Sequence, residues 1–164
     1  MIKIRKMCIE DAQGIINILN PIIERGYSTV FDAPFSLGEE RAFLKSFPDR
    51  GVFNIAENQN GHILGFQVLE SFVTFARSMD HVACIGTYVD INSHGKGVGK
   101  LLSQNTFNEA RAIGFEKIFS YVLEANKMAL SFYTSLGFEV VGKAKQQVKL
   151  KNEYLDELLI EKFL

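Results

Sequence analysis

Cysteine is scarce in this chain, which carries only Cys8 and Cys84. There is no C-x-x-C pair and no His/Cys spacing of a zinc site, which argues against a disulfide-stapled scaffold or a zinc module. Two reduced structural thiols in a cytoplasmic protein are the expectation, with no metal. Charge of one sign is also missing: 18 Lys and Arg against 19 Asp and Glu leave a net charge of −1. A general nucleic-acid binder rests on phosphate neutralisation, so that partner is not expected, although one local basic patch is compatible. No apolar run reaches the ~18 residues of a membrane span. The opening MIKIRKMCIEDA lacks the long apolar core of a signal peptide. A cytoplasmic protein without a membrane partner is therefore expected. Repeats, low-complexity tracts and linkers are absent too, so residues 1–164 read as one domain. A chain of this length buries roughly 68–70% of its unfolded surface and needs no staple.

Apolar residues make up 47% of the chain and charged residues 23%, an ordinary globular mix. Ile2 to Arg5 alternates as a short strand. Asp11 is placed to cap a helix carrying Ile15, Ile16, Ile18, Leu19, Ile22 and Ile23, and Pro21 predicts a kink or split in it. Ser36 and Glu39 have capping-box spacing before Phe43, Leu44 and Phe47. Strands are predicted over Val52–Ala56, Ile63–Phe72, His81–Val89 and Lys117–Leu123, with a hairpin turn at Asn60-Gly61. Helices are predicted over Val98–Ile113 and Asn126–Leu136, each followed by glycine. Phe138–Leu150 and Tyr154–Phe163 read as the last strands. The order is β α α β β β α β α β β. It implies a mixed, mostly antiparallel α/β (α+β) sheet of about seven strands with helices on both faces.

The run His94-Gly95-Lys96-Gly97-Val98-Gly99-Lys100 stands between a strand and a helix. A helix start leaves backbone N–H groups free and carries partial positive charge. Glycine lets that backbone approach a phosphate. A solvated Gly-rich turn is the plain alternative. A P-loop is excluded, since Leu101 stands where Ser or Thr must hold magnesium and His94 replaces the first glycine. The dinucleotide fingerprint G-x-G-x-x-G is excluded by the spacing of Gly95, Gly97 and Gly99.

The loop resembles the Gln/Arg-x-x-Gly-x-Gly/Ala segment of the GCN5-related N-acetyltransferase (GNAT) superfamily, with His94 in place of Gln or Arg. Asn126-Lys127-Met128-Ala129-Leu130-Ser131-Phe132-Tyr133-Thr134-Ser135-Leu136-Gly137-Phe138 resembles that family's Asn-x-x-Ala-x-x-x-Tyr-x-x-x-Gly-Phe block. FDAPFSLGEERAFL and EYLDELLIEK are similar to the phosphinothricin acetyltransferase group. The resemblance implies a GNAT fold and acetyl transfer from acetyl-CoA to the primary amine of a small molecule, an amino acid or analogue. It implies direct transfer, with no acyl-enzyme on Cys84.

By the same resemblance, His94, Gly95, Lys96, Gly97, Val98, Gly99 and Lys100 would hold the coenzyme A pyrophosphate. Thr87, Tyr88 and Val89 would run beside the pantetheine arm, and Asn126 would contact it. Tyr133 would contact coenzyme A and protonate its thiolate, against the plainer role of a core tyrosine. The resemblance places a glutamate, the general base, at the position of Cys84. Glu124, at the end of a strand, is the candidate base here, with His81, Glu70, Asp80 or a water chain as alternatives. Tyr27, Phe31, Phe72 and Phe75, in or beside the loops 26–34 and 73–80, are the candidate acceptor-site residues. Two other readings stand beside this one: a protein N-terminal or lysine acetyltransferase, and a coenzyme A-binding module without catalysis. The resemblance also allows a homodimer.

Overall fold

The computed structural model describes all residues from Met1 to Leu164. The strands are β1 (Lys3–Lys6), β2 (Val52–Glu57), β3 (Ile63–Ser71), β4 (Val82–Val89), β5 (Lys117–Leu123), β6 (Glu139–Leu150) and β7 (Glu153–Phe163). The helices are α1 (Ala12–Arg25), α2 (Leu37–Ser46), α3 (Val98–Ala112) and α4 (Lys127–Ser135). One seven-stranded sheet runs β1-β2-β3-β4-β5-β7-β6, and only β4 and β5 pair in parallel. The expected mixed, mostly antiparallel α/β sheet is present. No helix is long and apolar enough to cross a membrane.

Both faces of the sheet are covered, and the alternation of β2 shows how. Phe53 and Ile55 pack with Phe66 against Ile15, Ile18 and Leu19 of α1. Val52 belongs to the opposite core, with Leu69, Ala83, Ile85 and Phe107, and Ala56 packs there on Val98 and Leu102 of α3. A strand buried on both faces reads as a continuous apolar run, which is what VFNIA approximates.

Local signals behave as the sequence suggests in two places and depart in two. Ser36 caps α2, its hydroxyl accepting from the Glu39 N–H at 3.2 Å while the Glu39 carboxylate accepts from the Ser36 N–H at 2.8 Å. Gly61 takes a positive φ of 78° in the turn at Asn60-Gly61, which joins the antiparallel strands β2 and β3. Asp11, by contrast, makes no side-chain cap bond to α1. Its carboxylate is taken by Arg5 and by the Cys8 N–H. Pro21 lies inside an unbroken α1. The N–H that proline lacks would have met Asn17, and both residues are on the exposed side, where water satisfies the freed carbonyl.

Candidate active site

The parallel pair β4–β5 sets up the site. It holds at only two positions, Val82 opposite Lys117 and Ala83 opposite Ile118. Beyond them the strands part: the Ser120 hydroxyl of β5 still donates to the Ile85 carbonyl at 2.8 Å, and the edge of β4 from Gly86 to Val89 has no ladder partner on that side. Parting opens a cleft of about 380 Å3. Thr87, Tyr88 and Val89 form one wall, and Asn126, Ala129, Phe132 and Tyr133 face them from α4 and the residue preceding it.

The floor at one end is the start of α3. Gly97 precedes the helix in the left-handed conformation, with φ 79°, and no side chain caps the first turn. The N–H groups of that turn have no intrahelical acceptor. His94, Gly95, Gly97, Val98, Gly99 and Lys100 line the cleft there. No carboxylate lines it, whereas Arg25, His94 and Lys100 do. An uncapped helix start in a concave site that two cations and no carboxylate line is suited to an anion such as a phosphate.

Gly99 is needed for a different reason from Gly97. A Cβ on Gly99 would come within 2.9 Å of the Phe132 ring. The glycine lets α4 close against α3, and the ring then forms part of the cleft wall. Lys96 points elsewhere: its Nζ donates to the Asn92 carbonyl at 2.7 Å and it does not line the cleft. The His94 ring lies 3.1 Å from the Val89 carbonyl through Nε2.

Asn126 has two bonds. Its Oδ1 accepts from the Ala129 N–H at 3.0 Å, capping α4, and its Nδ2 donates to the Ser28 carbonyl at 3.2 Å. It thus ties α4 to the loop after α1. Ser28, with Ile22 and Arg25 of α1, closes that side of the cleft. Only tertiary packing brings these three to the site, and no local motif marks them.

Tyr133 is buried yet lines the cleft, and its hydroxyl lies 2.9 Å from that of Thr87, which lines it too. Burial pushes its pKa up, with the Thr87 hydrogen bond pulling the other way. Tyr88, stacked on Phe66 at 4.9 Å, is pushed up to about 12 by burial. Both phenols keep their protons at neutral pH.

Glu124 lies outside this cleft. Its carboxylate accepts from Lys143 at 2.7 Å, in a partly exposed cluster that includes Asp156. Glu70 is the cross-strand partner of Cys84 in the β3–β4 register and has no hydrogen-bond or ion-pair partner in the protein. Burial raises its pKa. Burial also raises the pKa of the Cys84 thiol, the reverse of what a nucleophilic cysteine requires.

The four aromatic candidates do not line the cleft. The Tyr27 hydroxyl donates to Glu153 at 2.8 Å, and Phe31 meets Phe35 edge-on at 5.1 Å. Phe72 packs on Phe119 at 5.1 Å, and Phe75 is 87% exposed.

Comparison with known proteins agrees with this geometry. The family model described as "Acetyltransferase (GNAT) domain" matches residues 4–159. An L-methionine sulfoximine/L-methionine sulfone acetyltransferase of Pseudomonas paraeruginosa is 25% identical over 157 residues, covering 93% of this chain and 89% of that protein. A phosphinothricin N-acetyltransferase of Streptomyces coelicolor is 21% identical over 161 residues, covering 94% and 92%. The solved structure of a GNAT superfamily phosphinothricin acetyltransferase from Sinorhizobium meliloti in complex with AcCoA superposes with a TM-score of 0.90. That pair is 20% identical and covers 99% of this chain and 88% of the other, which shows the shared fold. The chain belongs to the GNAT acetyltransferase family.

Proposed function

We propose that this GNAT-family chain transfers the acetyl group of acetyl-CoA directly to the primary amine of a small molecule, an amino acid or an analogue of one. The observation that carries this reading is the cleft itself. A free strand edge in β4, an uncapped start of α3 and a protonated buried tyrosine meet in one cavity. The names of the relatives support the acceptor class, since both characterised activities cited above are on amino-acid analogues.

In this reading the first turn of α3 binds the pyrophosphate of acetyl-CoA through Gly95, Gly97, Val98 and Gly99, with Lys100 adding charge and His94 beside it. Lys96 can join them by releasing the Asn92 carbonyl. The backbone of Thr87, Tyr88 and Val89 holds the pantetheine arm as an added strand and polarises the thioester carbonyl. Asn126 fixes the far wall. The amine nitrogen bonds to the acyl carbon as the carbon–sulfur bond breaks, and sulfur leaves with the bonding pair. Tyr133 passes its proton to that sulfur. Holding the two reactants in line supplies much of the acceleration.

The amine must also lose a proton, and two carboxylates are proposed for it, Glu124 and Glu70. Glu70 suits the role better, because no lysine competes for its oxygens and its raised pKa makes it a stronger base. Tyr27, Phe31, Phe72 and Phe75, in or beside the loops after α1 and β3, are proposed for the acceptor side. The free thiols of Cys8 and Cys84 support a reducing, cytoplasmic setting. A homodimer belongs to the same proposal, and the edge strand β6, with Val140 and Val141 exposed, offers a surface for it.

The test is a thermal melt with acetyl-CoA beside ATP and NAD, followed by turnover against a panel of amino acids. A ligand at a hundred times its Kd adds about 2.7 kcal/mol. A shift with acetyl-CoA alone, and acetylation of an amino acid, is the expected result. No shift with acetyl-CoA, or a larger one with ATP or NAD, overturns the reading.

A further inference from the structure

Behind Tyr133 the structure holds a buried side chain that the reaction described above does not use. Gln67 of β3 is fully buried, and its carboxamide lies between α3 and β4. Its Nε2 donates to the Thr87 hydroxyl at 2.8 Å and to the Ser103 hydroxyl at 3.0 Å. Its Oε1 is inaccessible to solvent and has no partner. A methionine of similar volume would fill this space without an orphaned oxygen, so the amide stabilises the fold poorly for what its burial costs. Such local conflicts are retained where a group serves function.

The hydrogen bonds fix which way each group points. Ser103 Oγ donates to the Gly99 carbonyl at 2.9 Å, so its only hydrogen is used and it can only accept from Gln67. The amide must therefore present its NH2 to Ser103, and its second hydrogen goes to Thr87. Thr87 keeps its own hydrogen, and Tyr133 Oη, 2.9 Å away, is its partner. If Tyr133 donated to Thr87 instead, the Thr87 hydrogen would face the cleft and the Tyr133 hydrogen would be turned from it. The N–H that Thr87 accepts from Gln67 occupies one of its lone pairs and polarises its own O–H, which favours Thr87 as the donor and leaves the Tyr133 hydrogen free for the cavity.

We infer that Gln67 is a positioning residue for the acyl transfer, setting Thr87 as a donor to Tyr133 so that Tyr133 presents its own proton to the departing sulfur. This rests on the proposed role of Tyr133 as the acid. The proton moves from Tyr133 Oη to the sulfur that received the electron pair of the broken carbon–sulfur bond. The phenolate left behind already has the Thr87 O–H as a donor. It is reprotonated by the proton that the amine nitrogen released, through the base and water. Gln67 touches no substrate and acts through Thr87. Its other anchor, Ser103, is tied to Gly99 in the first turn of α3, so the same amide links the anion-binding turn to the acid.

A double-mutant cycle tests this. Turnover and the KM for acetyl-CoA are measured for Gln67→Met, Tyr133→Phe and the double variant, with melting curves confirming that each folds. The expected result is a kcat lowered at least tenfold by Tyr133→Phe and about three- to tenfold by Gln67→Met, with KM within twofold. In the double variant, kcat should be no lower than in Tyr133→Phe alone. A purely structural role would instead multiply the two losses or raise KM, and either outcome overturns the inference while leaving Tyr133 as the acid. An unchanged kcat in Tyr133→Phe overturns the acid assignment and the inference together. Should Gln67→Met not fold, Gln67→Glu, of the same shape but without the amide hydrogens, enters the same cycle. Failure of both to fold assigns the amide to the fold and overturns the proposal.

Discussion

Gly99 and Phe132 are in contact across the α3–α4 junction, with the ring edge where a side chain on residue 99 would begin. Both residues line the cleft. Gly99→Ala should therefore push the Phe132 ring into the space proposed for acetyl-CoA. The substitution gains helix propensity of about 0.5–1 kcal/mol. Overpacking costs about 1–3 kcal/mol in return. The expected outcome is a small change in melting temperature with a KM for acetyl-CoA raised roughly tenfold, an effect of about 1.4 kcal/mol. A stabilised variant with unchanged KM would show that the ring has room to move away from the cavity.

Arg5 joins β1 to the start of α1. Its guanidinium donates to both oxygens of Asp11 at 2.7 Å and to Glu57 at 2.6 Å. Burial alone would raise the Asp11 pKa, but Arg5 and the Cys8 N–H outweigh it and hold it below the ordinary carboxylate range. Glu57 is lowered chiefly by its hydrogen bond from Arg5. Arg5→Met leaves Asp11, 7% exposed, without its cation, and leaves Glu57, 14% exposed, with only Lys3 at 3.6 Å. A loss of about 2–4 kcal/mol is expected at neutral pH. Because the folded pKa values are depressed, this stability is present above the unfolded values and is lost as pH falls through the folded ones. Denaturation of the two proteins from pH 7 down to 3 should show the gap closing at the acid end. A gap independent of pH would mean that packing of the arginine stem, and not its charge, accounts for the loss.

Glu40 has the opposite sign. It is 4% exposed on α2, with no hydrogen-bond partner for its carboxylate, and burial raises its pKa. A carboxylate with a raised folded pKa is best tolerated below its unfolded value, and stability drops as pH rises through the folded one. Glu40→Gln should raise the melting temperature at pH 7 by about 2–4 °C, roughly 1 kcal/mol for a chain of this size. The gain should vanish near pH 4. Equal melting temperatures at both pH values would show that the carboxylate finds water or a cation in solution.

The readable parts of the site were those encoded in consecutive residues. The glycine loop, Asn126 and Tyr133 each sit at a helix start or on one helix face, and the sequence spacing alone orders them there. Of the loop residues, Lys96 departs, because a flexible amine found a nearer acceptor in the Asn92 carbonyl. Gln67 was not legible. It becomes the neighbour of Thr87 only through the β3–β4 register, in which the two are cross-strand partners. Register depends on both strands and on the turn between them. Arg25 and Ser28 were missed for a similar reason, since α1 reaches the cleft by packing on the sheet. The unbroken helix through Pro21 shows the limit of a local rule: the lost hydrogen bond falls on the solvent side, where it costs little.

Glu70 and Glu124 give the base a decisive comparison. Glu124 is held by Lys143 with its side chain 40% exposed, and such a surface pair is worth about 0–1 kcal/mol. Glu124→Gln should leave kcat/KM for the amine within a factor of about three. Glu70 faces Cys84 without a cation, and its pKa is raised by burial. A base must be unprotonated to act, so kcat/KM should rise with pH through the Glu70 ionisation, at a pH above the ordinary glutamate range. Glu70→Gln should lower kcat/KM by about 10²-fold, the lower end of general-base effects, and should remove that acid limb. The KM for acetyl-CoA should stay unchanged, because Glu70 does not line the cleft that holds it. If the limb survives in Glu70→Gln and disappears in Glu124→Gln, the ion pair with Lys143 opens during turnover and Glu124 is the base. If it survives in both, the proton leaves through water, and the remaining dependence on pH belongs to the amine itself.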